Sequence, residues 1–257
     1  MVISQRPPRI FYCRGGNVNI KRFAAVFLIV FFLSVFIALM VTSTARITLN
    51  TAAMPKTPMP HIVIDAGHGG EDGGAVSGDG VPEKEINLAI AHDTNDLLTF
   101  FGFDTEMTRT SDADLSTDGE NTKQRKNSDM KNRLKIFNSS GNNAVISIHQ
   151  NKFSDTSSRG TQVFYSPNND RSLLLADAIK FSVKSQLQPD NERLSKPAGS
   201  GIYLLKNATQ PAVIVECGFL SNREECEKLK TAEYQRQMAF AITTGFLDYY
   251  NTNQDVK

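Results

Sequence analysis

Cysteine is scarce in this chain: Cys13, Cys217 and Cys226 are the three thiols among 257 residues, and no two form a CxxC spacing. That excludes a disulfide framework and a cysteine-built structural zinc finger. A surplus of one charge sign is missing too, because 28 basic groups face 27 acidic ones for a formal net charge of +1. The balance is uneven along the chain. Residues 1–22 carry Arg6, Arg9, Arg14, Lys21 and Arg22 and no acid, which leaves 23 basic against 27 acidic groups beyond them. A mildly acidic body lacks the basic footprint of a nucleic-acid binder. Internal repeats and low-complexity tracts are absent as well. After the N-terminal segment roughly 200 residues remain, enough for one ordinary domain with a full core.

Long charge-free runs are missing with one exception. Phe23 to Val41 is 19 residues without a charge and with Ser34 as its single polar side chain. That length spans a bilayer as a helix and exceeds the core of most signal peptides. The basic residues all precede it, so residues 1–22 are expected to stay in the cytoplasm while the body is exported. Thr42, Ser43, Thr44 and Ala45 are small enough to permit cleavage. An uncleaved anchor and a cleaved signal both stand, and length favours the anchor. Residues 42–60 form a linker in which Pro55, Pro58 and Pro60 keep the chain extended.

What is present is a body, residues 61–250, that alternates short apolar runs with amphipathic stretches; residues 251–257 are a tail. The runs His61–Asp65, Ala144–Ile148 and Pro211–Val215 read as buried strands. Phe103–Thr108, Thr161–Tyr165 and Ile202–Leu205 read as further strands. Helices are expected from Glu83 to Phe101, Gln124 to Ser139, Asp170 to Leu187, Asn222 to Leu229 and Ala232 to Tyr250. Pro82 and Glu83 suit a helix start, and Gly102 a stop. The pattern predicts an α/β fold, a twisted and mostly parallel sheet flanked by helices.

The three buried runs each lead to an ionisable residue. His68 follows the first in a glycine-rich turn, His149 ends the second, and Glu216 ends the third. Open α/β sheets build their sites at the carboxyl ends of strands. With Glu83 at the first helix start, these make a set of two histidines and two glutamates. Two His and one Glu are a catalytic zinc set that leaves a fourth position for water. The other glutamate then serves as general base towards that water and returns the proton to a leaving amine. Spacing alone does not decide which glutamate is ligand and which is base.

Four blocks carry a family resemblance: Ile62–Gly70 (IVIDAGHGG), Glu83–Ala89 (EKEINLA), Ser147–Asn151 (SIHQN) and Pro211–Asn222 (PAVIVECGFLSN). In this order they resemble the signature blocks of zinc-dependent N-acetylmuramoyl-L-alanine amidases, the Amidase_3 family, over His61 to about Tyr250. The resemblance implies that His68, Glu83 and His149 bind one Zn2+ and that Glu216 is the catalytic carboxylate. It implies cleavage of the amide between the muramic acid lactyl group and the first L-Ala of the peptidoglycan stem peptide. The Val-Glu-Cys-Gly-Phe-Leu-Ser-Asn version, the membrane-leading N-terminus and the lack of a wall-binding domain are most like the spore-cortex, CwlD-type amidases, whose action precedes muramic-δ-lactam formation. Division-associated relatives carry a self-blocking insertion after the second histidine. Here only ten residues separate His149 from Gly160, so control is expected from elsewhere, such as a protein partner. Lys206 stands where many relatives have Arg, and it lacks the bidentate fork.

Other residues receive plainer expectations. His61 begins a strand and His92 lies mid-helix, so neither is expected to be a ligand. Strand alternation turns Cys217 away from Glu216, which makes it a packed thiol and not a nucleophile for His149. Asp65 is expected either to back the ligands, for instance by orienting His68, or to support the turn. Arg125 and Arg133 are expected on a solvated helix face. Competing functional classes are an exported zinc hydrolase on another amide and a non-catalytic peptidoglycan-binding module.

Overall fold

In a computed structural model, the structure describes residues 27–36, 59–139 and 141–253. The chain divides into two compact units, residues 1–57 and 58–257. In the first, residues 27–36 form a helix, α1, whose side chains are exposed. Among the described residues no helix is long and apolar enough to cross a membrane. The rest of the expected span, 23–26 and 37–41, lies outside the described residues, as do residues 1–22, most of the linker and the last four of the tail.

The second unit is built on one six-stranded sheet of order β2-β1-β3-β6-β4-β5. The strands are β1 (His61–Ala66), β2 (Asp104–Met107), β3 (Asn142–Asn151), β4 (Gln162–Tyr165), β5 (Lys196–Pro197) and β6 (Ala212–Phe219). Strands β2, β1, β3 and β6 run parallel, and β4 runs antiparallel to β6. The sheet is thus mostly parallel, as the pattern predicts. Its central strands are covered on both faces, which explains why they read as continuous apolar runs.

Alternation along the strands sorts the core into two layers. Ile62, Ile64, Ile146, Ile148, Val213, Val215 and Cys217 pack under α2 (Glu83–Phe100), α4 (Arg171–Gln186), α6 (Arg223–Leu229) and α7 (Ala232–Asn253). Val63, Val145 and Ile214 point the other way, towards Phe137 of α3 (Thr122–Phe137) and Leu204 and Leu205 of α5 (Tyr203–Asn207). The second periodicity of a strand puts Asp65, Ser147, His149 and Glu216 on that same α3/α5 face. The functional side chains therefore occupy one side of the sheet, at the carboxyl ends of three adjacent strands.

Two expectations are corrected. Residues 202–205 do not form a strand; Tyr203–Asn207 is a short helix, closed by the Lys206 N–H on the Ile202 carbonyl at 3.0 Å. Four consecutive apolar residues fit a strand or a buried helical turn equally, and docking of Leu204 and Leu205 on the second core layer decides it. Arg133 does not lie on a solvated face but is 2% exposed, deep between α3 and the sheet. A two-residue strand, β5, also pairs with β4 where no strand was expected, and other differences are at element ends: α3 starts at Thr122, with the Asn121 side chain accepting from Gln124 N–H, and α7 runs on to Asn253. Gly102 ends the α2 region as expected, at φ +88°.

Candidate metal centre

The loop after β1 bends sharply because His68 itself takes a left-handed conformation, φ +62°, followed by Gly69 and Gly70 at φ +135° and +58°. Such a conformation is uncommon for a residue with a Cβ and marks a loop held by its surroundings. Gly67 answers a different need: a Cβ there would lie 2.3 Å from the His149 ring. That glycine lets the β1 and β3 ends deliver two imidazoles side by side, with ring centroids 5.0 Å apart.

Glu83 lies between them. Its Oε1 meets His149 Nδ1 at 2.9 Å and its Oε2 meets His68 Nε2 at 3.3 Å. His68, Glu83 and His149 each offer a ligand atom, all within 4.8 Å of one another, the one such group among the described residues. Glu83 is 3% exposed and is held by five neighbouring groups. The Ala75 and Gln150 backbone N–H groups and the Asn87 side chain donate to it at 2.8, 3.0 and 3.1 Å, besides the imidazoles. The other nitrogen of His68, Nδ1, faces Asp72 at 2.9 Å. This carboxylate–imidazole pair fixes the ring so that Nε2 points at the centre.

The electrostatics favour a cation. Burial alone would lower the His68 pKa, but the hydrogen bonds to Asp72 and Glu83 outweigh it and raise it to about 9. Burial likewise works against the charged form of Glu83, and the two imidazoles overcome it, holding the carboxyl well below its usual range. Two imidazole nitrogens and a carboxylate oxygen, in a pocket that stabilises positive charge, fit a divalent transition metal such as zinc.

Glu216 sits apart from this group. It pairs in register with His149 across β3 and β6 and lines the same cleft. Its Oε2 is buried and has no hydrogen-bond partner. Burial pushes its pKa up to about 7, with His149 pulling the other way. Cys217 is fully buried on the opposite face, in the α2/α4/α7 core, as alternation predicts.

Asp65 does not touch His68. It accepts from the Arg133 guanidinium, from the Ser147 hydroxyl and from the Thr108 hydroxyl. Arg133 in turn donates to the backbone carbonyls of Ala66 and His68 at 2.9 and 2.6 Å. Arg109 adds donors to Ala66 and Gly67 at 2.9 and 3.0 Å. Two buried guanidiniums thus clamp three successive carbonyls of the His68 loop. Neither had a functional signal in the sequence, and Asp72 and Asn87 also went unmarked. Asp72 stood in a polar stretch; Asn87 lies one helical turn past Glu83, a spacing that could have revealed it.

Away from the centre, His61 bonds Asp104 and Glu106 on β2, and His92 bonds the Thr110 carbonyl. Lys206 is exposed on α5 and is not among the cleft residues. Arg125 pairs with Glu71 on the surface. The connection from β3 to β4 is a short run of bends and turns with no helix in it.

A family profile described as N-acetylmuramoyl-L-alanine amidase matches residues 62–248. The germination-specific N-acetylmuramoyl-L-alanine amidase of Bacillus subtilis (strain 168) is 35% identical over 195 residues, 76% of this chain and 81% of that protein. The CwlD amidase from Clostridioides difficile, solved in complex with the GerS lipoprotein, is 38% identical with a TM-score of 0.73, covering 76% of this chain and all of that one. A second solved N-acetylmuramoyl-L-alanine amidase, from Clostridium difficile 630, is 26% identical with a TM-score of 0.67, covering 77% of this chain and all of that one.

Proposed function

This chain belongs to the N-acetylmuramoyl-L-alanine amidase family, and on that premise we propose that His68, Glu83 and His149 hold one Zn2+ while Glu216 moves the proton as the muramic acid–L-Ala amide of peptidoglycan is cleaved. The observation that supports it best is the division of labour among four convergent groups. Three offer ligand atoms within 4.8 Å of one another, and the fourth, on the adjacent strand, keeps a buried oxygen free.

Zinc, when bound, supplies a Lewis acid and a water of lowered pKa. The chain's own residues do the rest. Asp72 and the Glu83 donors keep the ligands aimed at one point. Glu216, with a pKa of about 7 from burial, takes a proton from the attacking water and returns it to the leaving L-Ala amine. The nearby apolar wall, Ile202, Leu204 and Ile214, limits water in the cleft.

The cellular setting is part of the same reading. Likeness to the germination-specific relative and the Pro211–Asn222 block support a role in the spore cortex, where removal of stem peptides leaves the free lactyl carboxylate that lactam formation needs. The basic residues 1–22 ahead of the uncharged 23–41 run support export and membrane anchoring, with 42–60 as linker, 61–250 as the catalytic domain and 251–257 as tail. The GerS lipoprotein complex of the Clostridioides difficile relative supports an activating protein partner for this chain as well.

The test is product chemistry. Incubation of the zinc-loaded chain with peptidoglycan should expose new N-terminal L-Ala. Release of acetate instead would mark a deacetylase, and retention of wall fragments without cleavage would mark a binding module.

A further inference from the structure

The cleft over the centre has two unlike walls. One is apolar and comes from residues 201–204, with Tyr203 40% exposed. The other comes from α3, the end of β1 and the His68 loop, and carries the charges. Apart from Glu216, the acids along the cleft are Asp65, Asp72 and Asp129, so its polar side is predominantly negative. A stem peptide is itself acidic, with a free carboxylate beyond its first residue, and such a substrate needs a cation to enter.

Among the described residues two permanent cations line this cleft, Arg133 and Lys126. Arg133 is spoken for: its three nitrogens bond Asp65, Asp129 and the carbonyls of Ala66 and His68, and 2% of its side chain is exposed. Lys126 differs on both counts. Its side chain is 53% exposed, and its one ion pair is with Asp72, at 2.9 Å. Because Asp72 also lies 2.9 Å from His68 Nδ1, the ammonium sits no more than two hydrogen-bond lengths from a ligand imidazole. It has free donors and stands at the rim, one helical turn before Met130 of the same wall.

Resting on the amidase reading above, we propose that Lys126 is a specificity-determining residue that binds a carboxylate of the stem peptide beyond the cleaved amide. An ammonium has three donors, so it can hold Asp72 and a substrate carboxylate together. The Lys126 contact selects peptides whose second residue is a free acid over those in which it is an amide.

The experiment compares two soluble muropeptides that differ only in that group, free carboxylate or carboxamide, as substrates of the zinc-loaded wild type, K126A, K126R and K126E. Wild type should prefer the acid, and K126A should lose about tenfold of that preference, carried in KM, the size of one exposed charge-assisted hydrogen bond. K126R should restore the preference and K126E should reverse it. A merely structural role, through support of Asp72, would lower zinc content and kcat on both substrates alike and leave their ratio fixed; that result, or an unaltered K126A, overturns the proposal. A wild-type chain that cleaves neither muropeptide overturns the amidase reading beneath it, whereas a wild type that cleaves both equally overturns the Lys126 contact alone.

Discussion

Asp65 and Glu216 are two carboxylates on the same face of the same sheet, each at the carboxyl end of a central strand, and they live in opposite electrostatic worlds. Asp65, on β1, is fully buried with Arg133, Ser147 and Thr108 around it. Burial would raise its pKa, but Arg133 and the hydroxyls reverse the sign and hold it below the usual value. Glu216, on β6, is half-buried, keeps a buried Oε2 without a hydrogen-bond partner, and is pushed up to about 7. The first is satisfied and holds structure in place. The second is left unsatisfied at a cost in stability, because a buried carboxylate without donors is expensive. The difference teaches where this fold stores its reactivity: in a cleft acid whose buried oxygen is given no partner.

The largest way to break that comparison is Glu216→Gln. It removes the proton carrier and keeps the shape, so L-Ala release should fall by about 10²–10⁴-fold while zinc content stays near one per chain. The same variant should be no less stable than wild type, since it deletes an uncompensated acid. Measured turnover, metal content and denaturant midpoint together read all three. The mirror-image change is Arg133→Met, which leaves Asp65 and Asp129 without their cation. It should destabilise by about 3–5 kcal/mol in urea unfolding, the cost of orphaning a buried charge.

A milder change sharpens the contrast through pH in the chelated protein. A depressed folded pKa, as for Asp65, gives stability that is present above the unfolded value near 4 and lost as pH falls through the folded pKa. A raised folded pKa, as for Glu216, works in reverse: the folded state binds the extra proton, so stability declines as pH rises from the unfolded value to about 7. Unfolding free energies should therefore show a decline between about pH 4.5 and 6.5 in wild type that is absent from Glu216→Gln, before the raised His68 makes both proteins decline at higher pH. Both proteins should share the acid-side loss. An identical slope in the two would mean that Glu216 titrates normally.

Much of this was legible because strands alternate. Val63 and Asp65, Ser147 and His149, Ile214 and Glu216 are two residues apart, and reading the apolar member of each pair as inward-facing places the polar one on the same side. The same rule separated Cys217 from Glu216. The clamp was not legible, because α3 reads TKQRKNSDMKNRLKIF, where nothing distinguishes the buried Arg133 from its exposed lysine neighbours. What buries Arg133 is Asp65, 68 residues earlier in the chain. Long-range pairing of two charges leaves no local periodicity, so the turn-supporting role expected of Asp65 is there but runs through Arg133 and not through a contact with the His68 ring. It steadies the His68 backbone through Arg133, whereas Asp72 steadies the ring.

Two smaller predictions follow from that split. Asp72→Asn keeps a hydrogen-bonding side chain but removes the charge behind His68, and zinc affinity should fall about 10–100-fold in a chelator competition. His61→Ala, at the exposed pairs with Asp104 and Glu106, should cost under about 1 kcal/mol and leave zinc binding unaltered.

The most direct measurement is anomalous diffraction at the zinc edge from crystals of the catalytic domain grown with zinc. The account predicts one peak bonded to His68, Glu83 and His149, with the Glu216 carboxylate beside it and outside the bonding distance. A peak that Glu216 ligates in place of Glu83, or no peak between the two imidazoles, would contradict it.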